Sequence, residues 1–433
     1  MLFPFATSEL LDSRGTLWGR NLATQSLALV DERRLPARHT VLLAATRSGK
    51  SYAAKSLATQ ARFAGSQVVV LDPSAHEYRR WCQGLGGQYV ALAVGSETRI
   101  NPCAIALPPD IAHPDEDDLG PVSAKIEYLR ALIGALLAAT GEQLNARQRA
   151  ALERVLYQLY RRFGLEDDWT SIADPASLRV VEAGGLAFLP TPRPKVMPTF
   201  GEVVQALRQE ADTRALGEAL EPFATGTLAM FSGQTNVDLG NDLLVFNVRA
   251  LVEDNPSLAP AAYFLLAGVM AERLRADWRP KLFLVDEAHN LCRDAAMAGY
   301  LERLYRQAGK HGGQVCLITQ RLADLVGSMD GSIPPPPGAQ SAGVCLSQSY
   351  VRLLLRQMTA QDARHCAQIF GLAESEAAFL AGARPGQGLL LVDRAHAPVQ
   401  VRVPPELHRL ITSDPDEVAR IQREERLAAR AGP

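Results

Sequence analysis

At 433 residues the chain is long enough for two or three domains, or one large domain with an insertion, and its 47% hydrophobic and 21% charged content is that of an ordinary globular protein. With 45 basic and 47 acidic residues the net charge is −2, which gives no support to a protein whose main task is coating nucleic acid, though a ring could still concentrate positive charge in its channel. No apolar stretch reaches the roughly 18–20 residues of a membrane span, and residues 1–5 lack the basic start and long apolar core of a secretory signal. Cys82, Cys103, Cys292, Cys316, Cys345 and Cys366 contain no Cys-x-x-Cys and read as reduced, mostly buried thiols of a cytosolic protein.

Residues 1–40 read as a β-rich entry segment, with Gly15 and Gly19 as punctuation. The core, 41–109, opens on Val41-Leu42-Leu43, then Ala44-Ala45-Thr46-Arg47-Ser48-Gly49-Lys50-Ser51, then a helical stretch over 52–58. Strand, loop and helix in that order are the setting of a phosphate-binding loop. The β-branched run 67–71, ending at Asp72-Pro73, predicts a parallel strand buried on both faces. Leu107-Pro108-Pro109-Asp110 and the acidic run Asp115-Glu116-Asp117-Asp118 read as a solvated linker.

Ile126, Leu129, Ile133, Leu136 and Leu137 then keep helical spacing, as do Leu152, Val155, Leu156, Leu159, Tyr160 and Phe163. A Pro-rich stretch at 189–194 precedes a further helical segment over 201–220, so 110–230 reads as an all-α insertion. The core resumes over 231–405. It comprises a strand at 243–248, a helix over 261–274 opened by Pro260, and a strand at 282–285 tipped by Asp286-Glu287. A helix through Arg303 and Arg306, a strand at 315–320, a loop at Pro334-Pro335-Pro336-Pro337-Gly338 and late strands at 388–392 and 399–403 complete it. Residues 406–433 read as a helical tail, solvated over 420–430. Strands alternating with helices predict an α/β sheet with ligand at the carboxyl ends of the strands.

The chemistry expected is ATP hydrolysis. Lys50 should reach the β- and γ-phosphates, the Ser51 hydroxyl should coordinate Mg2+, and backbone N–H groups of 46–51 should wrap the phosphates. The nucleotide-binding set is thus Thr46, Arg47, Ser48, Gly49, Lys50, Ser51 and Tyr52. Asp286 is the expected Mg2+ partner and Glu287 the general base. Two carboxylates capping a solvent-edge strand would not explain the apolar strand before them. Gln320, after Thr319, could sense the γ-phosphate or position water. Arg303, Arg306 and Lys310 are candidates for a cation reaching a neighbouring subunit's phosphates, Arg306 first and Lys310 second. Asp72, Glu77 and Tyr78 should border the same crevice, and His289 reads as a packing or relay residue.

Taken in order, these segments resemble the motor domain of the type IV secretion and conjugal-transfer ATPases, the fourth VirB component, within the HerA–FtsK superfamily. The resemblance rests on Thr46-Arg47-Ser48-Gly49-Lys50-Ser51, on Asp72-Pro73-Ser74-Ala75-His76-Glu77-Tyr78, and on Leu85-Gly86-Gly87 with Ile100-Asn101-Pro102. Val285-Asp286-Glu287-Ala288, Arg306-x-x-x-Lys310-His311-Gly312, Ile318-Thr319-Gln320 and the tail from Gly386 to Pro415 continue it. Three departures stand out: Ala44 and Arg47 where relatives have glycine, and Gly309 in place of a second arginine. A long N-terminal domain, which full-length members carry before the motor, is also expected to be missing, with consequences for docking to a channel. The resemblance implies a RecA-like P-loop NTPase core with an all-α inserted domain, ATP and Mg2+ as cofactors, and a homo-hexamer with ATP between subunits. Secretion-channel proteins at the inner membrane are candidate partners, with DNA, protein or both as the moved substrate left open, and the location expected is cytoplasmic at the membrane face. A stand-alone HerA-like DNA translocase and a nucleotide-gated scaffold with little hydrolysis are the alternatives.

Overall fold

The computed structural model describes residues 9–74, 77–111, 120–178, 181–183, 186–188, 192–226 and 228–431. The acidic run Asp115–Asp118, Ala75 and His76 of the 72–78 motif, and Leu189, Pro190 and Thr191 of the Pro-rich stretch lie outside the described residues. The chain forms two units, one of Met1–Tyr89, Gly240–Asn247 and Arg279–Pro433, the other of Val90–Leu239 and Val248–Trp278.

The strands are β1 (Thr16–Asn21), β2 (Leu27–Val30), β3 (Thr40–Leu43), β4 (Gln67–Asp72), β5 (Gln88–Ala91), β6 (Val181–Ala183) and β7 (Leu186–Phe188). After them come β8 (Leu243–Asn247), β9 (Lys281–Val285), β10 (Gly313–Thr319), β11 (Val351–Leu355), β12 (Gln387–Val392) and β13 (Ala395–Gln400). Eleven strands form one sheet in the order β2-β1-β13-β12-β11-β3-β10-β9-β4-β8-β5. From β11 to β8 every pairing is parallel, while β1, β2, β12 and β13 pair antiparallel. β3, β4, β8 and β9 are buried at every position, with apolar runs between their polar end residues, as strands covered on both faces must be.

Register decides where the site lies. Leu43 pairs with Thr319, Leu317 with Val285, and Leu71 with Val285. The carboxyl ends of β3, β10, β9 and β4 therefore finish side by side, and the segments that follow them share one edge. The helix Lys50–Phe63 follows β3. It buries Ala53, Ala54, Leu57 and Ala58 on one face, and small alanines let it close on the sheet. It ends at Ala64, and Gly65 follows in the left-handed region.

Several strands differ from the sequence expectation, β5, β6 and β7 among those not foreseen. β11 was not foreseen, because Arg352 interrupts its apolar run; that guanidinium is half-buried over the Phe370 ring, 5.3 Å from its centroid. The last strand is Ala395–Gln400 rather than 399–403. A two-residue turn, with Asp393 at φ 52, pairs Val392 with Ala395 and fixes the register earlier in the chain.

In the second unit, the helices Ala146–Arg162 and Phe200–Gln209 each open on a capping box, Asn145 with Gln148 and Thr199 with Glu202. This unit is wider than the insertion expected at 110–230, and the β6–β7 pair makes it not wholly α-helical. It also takes in the helix Ala259–Ala276, expected in the core. That helix packs on Pro121–Ala139, where the Tyr128 and Phe264 rings stack at 5.2 Å and Lys125 meets Glu272 at 2.6 Å. Gly268 permits the approach, since a Cβ there would sit 2.5 Å from the Tyr128 ring. All six cysteines are free and buried. Among the described residues, no helix is long and apolar enough to cross a membrane.

Candidate nucleotide-hydrolysis site

The loop after β3 is pinned by three neighbouring segments. Ala44 N–H donates to the Thr319 carbonyl (3.2 Å), Ala45 N–H to the Arg356 carbonyl (3.0 Å), and Gly386 N–H to the Ser48 carbonyl (2.9 Å). Ser48 is buried, and its hydroxyl adds a bond to the Arg356 carbonyl at 3.3 Å. Among the described residues, no acceptor meets the backbone N–H of Thr46, Arg47, Gly49, Lys50 or Ser51. Unclaimed donors at the start of a 14-residue helix form an anion cradle. Gly49 sits at φ 98, where a side-chain-bearing residue is strained, and a Cβ there would make a tight 3.3 Å contact with Gly386 N. Arg47 adopts φ 60, which for a side-chain-bearing residue costs about 1–2 kcal/mol.

Five side chains from three strand ends then form one network. Lys50 Nζ lies 2.5 Å from Glu287 Oε1 and 3.0 Å from Asp286 Oδ1. Gln320 Nε2 donates to Glu287 Oε1 at 2.6 Å, and Gln320 Oε1 accepts from Thr46 Oγ1 at 2.8 Å. Glu287 is itself left-handed, at φ 50. Its N–H donates to Asp286 Oδ1 (2.9 Å) and the next N–H, of Ala288, to the Ile318 carbonyl (3.0 Å). Strain of this kind, about 1–3 kcal/mol, persists where surrounding bonds over-determine it.

Burial alone would raise the Glu287 carboxyl, but His289, Lys50 and Gln320 outweigh it and hold the pKa down at about 2. Burial would lower the Lys50 ammonium, and the charges of Asp286 and Glu287 reverse that and raise it. His289 Nδ1 stands 3.4 Å from Glu287 Oε2, an ion-pair distance too long for a strong hydrogen bond. Asp72 is pushed up to about 6 by burial, against the hydrogen bonds it accepts from Ser74 and Asn247.

Ser51 donates its hydroxyl to the Glu77 carboxylate. Ser51 and Asp286 are the oxygens that suit a hard divalent cation. Among the described residues, no cluster of three or more acids, histidines or cysteines could hold a metal unaided. A cation here would take one or two ligands from the protein and the rest from water and phosphate, the usual mode for Mg2+. Thr319 Oγ1 is buried without a hydrogen-bond partner at the same strand end, a further polar group facing no protein acceptor.

The structure does not bring every candidate to this cluster. Arg306 is 63% exposed and pairs with Glu302 on its own helix, Ala295–Lys310. Lys310 ends that helix at an exposed position. Arg303 lies over the Tyr300 ring at 5.6 Å. The Tyr52 hydroxyl meets His408 Nδ1 at 3.0 Å, so its polar end joins the C-terminal segment. Sequence reading missed the Arg356 carbonyl and Gly386, which brace the loop. Both act through the backbone, and the one visible signal was a glycine following Arg384-Pro385.

The TraG P-loop domain family model matches residues 26–330. No curated protein sequence matches the chain. Among solved structures, VirB4 of Thermoanaerobacter pseudethanolicus is similar at a TM-score of 0.74 and 24% identity, over 92% of this chain and 99% of that chain. The plasmid coupling protein TrwB in complex with ADP and Mg2+ matches at a TM-score of 0.51 and 14% identity, over 87% of this chain and 88% of that one. TrwB with the non-hydrolysable ATP analogue ADPNP matches at 0.50 and 16%, with the same coverage. These likenesses bear out the expected α/β architecture, a RecA-like P-loop NTPase core with a mainly parallel sheet. A family model that covers well over half of the sequence, on a chain with this loop and this sheet, settles the membership: the chain belongs to the TraG P-loop domain family.

Proposed function

We propose that the chain is an ATP-hydrolysing motor that powers substrate transfer or apparatus assembly in a conjugation or type IV secretion system. The observation that carries this reading is the Thr46–Gln320–Glu287–Lys50 network, which joins the cradle to a carboxylate able to accept a proton. ATP phosphates would lie on the free N–H groups of the loop, with Lys50 on the β- and γ-oxygens. Ser51 and Asp286 would hold Mg2+, which when bound neutralises charge on those oxygens.

Lys50 is the moving part. Phosphate oxygens compete with Asp286 and Glu287 for its ammonium. Once Lys50 turns to them, Glu287 loses a cation that keeps its pKa near 2, and its basicity rises. Glu287, oriented by Gln320, then takes the proton of the water that attacks the γ-phosphorus, and ADP leaves. Arrival of substrate thus arms the base.

The same reading assigns a homo-hexamer with ATP between subunits, Arg306 or Lys310 supplying a cation in trans, and work at the cytoplasmic face of the inner membrane with channel proteins and DNA. TrwB, similar in fold, has been solved with ADP and Mg2+. The test is steady-state ATP turnover by the full chain, with and without DNA, beside Lys50→Ala and Glu287→Gln. Turnover lost in both variants supports the motor. Nucleotide binding with turnover no higher than the variants' would leave only a nucleotide-gated scaffold.

A further inference from the structure

The network above accounts for one oxygen of Asp286. Oδ1 takes Lys50 at 3.0 Å and the Glu287 N–H at 2.9 Å. The other oxygen, Oδ2, accepts from the Tyr78 hydroxyl at 3.2 Å. Tyr78 is fully buried and Asp286 is 2% exposed, so neither bond competes with bulk water. Phenylalanine would fill the same space without the penalty of desolvating a hydroxyl, so the phenol needs a reason, and Asp286 is the acceptor it meets.

The ring is held from several sides. The Lys55 ammonium lies 5.5 Å from its centroid, and Trp81 meets it edge-on at 6.0 Å. Lys55 is anchored in turn by the Ile411 carbonyl (3.0 Å) and Ser413 Oγ (2.7 Å), and Trp81 Nε1 by Thr59 Oγ1 (2.9 Å).

We propose that Tyr78 is a positioning residue for the carboxylate that would hold the cation: by donating to Oδ2 it fixes the rotation of Asp286. This rests on the ATPase reading of the site and extends it to a residue outside the loop and the acidic strand end. Supports of this kind orient ligands that would otherwise rotate, and their loss weakens metal affinity about tenfold or more.

The test is Tyr78→Phe in the full chain, which keeps the ring and its neighbours. Binding of a fluorescent ADP analogue is titrated with Mg2+, and turnover is measured over the same Mg2+ range. The Mg2+ requirement should rise about tenfold in both assays, with nucleotide affinity in chelator unchanged and the melting temperature within a few degrees. An unchanged Mg2+ requirement, or a lower melting temperature with no Mg2+ shift, overturns the proposal. Wild-type protein that binds Mg2+-nucleotide without turnover would sink the motor alone, and the binding titration would still decide Tyr78. Wild-type nucleotide binding with no Mg2+ dependence would overturn both.

Discussion

Lys50 Nζ and Glu287 Oε1 meet at 2.5 Å although 237 positions separate the two residues. Sheet order explains the contact. One strand, β10, separates β3 from β9, so their ends stand about 10 Å apart. Lysine, on the helix turn after β3, reaches across that gap, and Gln320 at the tip of the middle strand closes the bridge. The lysine proposed to bind phosphate and the carboxylate proposed as the base are thus in electrostatic contact, which makes the pair measurable without nucleotide.

The Glu287 carboxyl is lowered from 4.5 to about 2. A depressed carboxylate stabilises the fold above its unfolded pKa, and that contribution is lost as pH falls through the folded value. The window therefore runs from about 4.5 down to about 2, and the contribution is on the order of 3 kcal/mol. In urea unfolding between pH 6 and 3, wild-type protein should lose more stability than Glu287→Gln, which has no carboxyl to protonate there. Parallel curves would mean the ion pair is not formed in solution.

How far the site could be read from sequence follows from how each residue acts. β3, β4, β9 and β10 were legible because each is an uninterrupted apolar run, and Lys50, Ser51, Asp286, Glu287 and Gln320 stood at their ends. β11 was hidden by Arg352, whose half-buried guanidinium lies over the Phe370 ring. The helix Ala259–Ala276 was legible as a helix but not by unit, since a helix buried on nearly every side reads the same in either. The braces from Arg356 and Gly386 use main-chain atoms, which leave no mark on composition.

Arg47 separates stability from function. At φ 60 a glycine would relieve strain, so Arg47→Gly should raise stability by about 1 kcal/mol in thermal unfolding. If the exposed guanidinium serves the phosphates, the same variant should bind ATP several-fold more weakly, with a smaller loss for AMP. Equal affinity in a stabilised variant would remove Arg47 from the cradle.

Gln320 bridges Thr46 and Glu287 and, among the described residues, makes no other side-chain hydrogen bond. Gln320→Ala should lower turnover about 100-fold, on the scale of losing a group that positions the nucleophile, while nucleotide affinity changes less than about threefold. Gln320→Glu would set a like charge against Glu287 and raise its pKa, so its turnover profile should shift to higher pH. A loss confined to nucleotide affinity would instead place Gln320 in binding alone.

The trans-acting cation can be located by complementation. Among the described residues Arg306 pairs with Glu302 and is largely exposed, as a residue serving a neighbouring subunit would be. Arg306→Ala should leave nucleotide affinity of the dilute chain unchanged and abolish most turnover of the assembled one. Mixing it with Lys50→Ala should restore part of the activity, because some interfaces then pair an intact Lys50 with an intact Arg306. At Gly309 an added Cβ would meet nothing within 4 Å, so Gly309→Arg should fold normally and offer a second cation on the same helix. Turnover that rises in Gly309→Arg and recovers in the mixture would assign the role to this helix. Arg306→Ala with full turnover, unaffected by mixing, would move the search to Lys310.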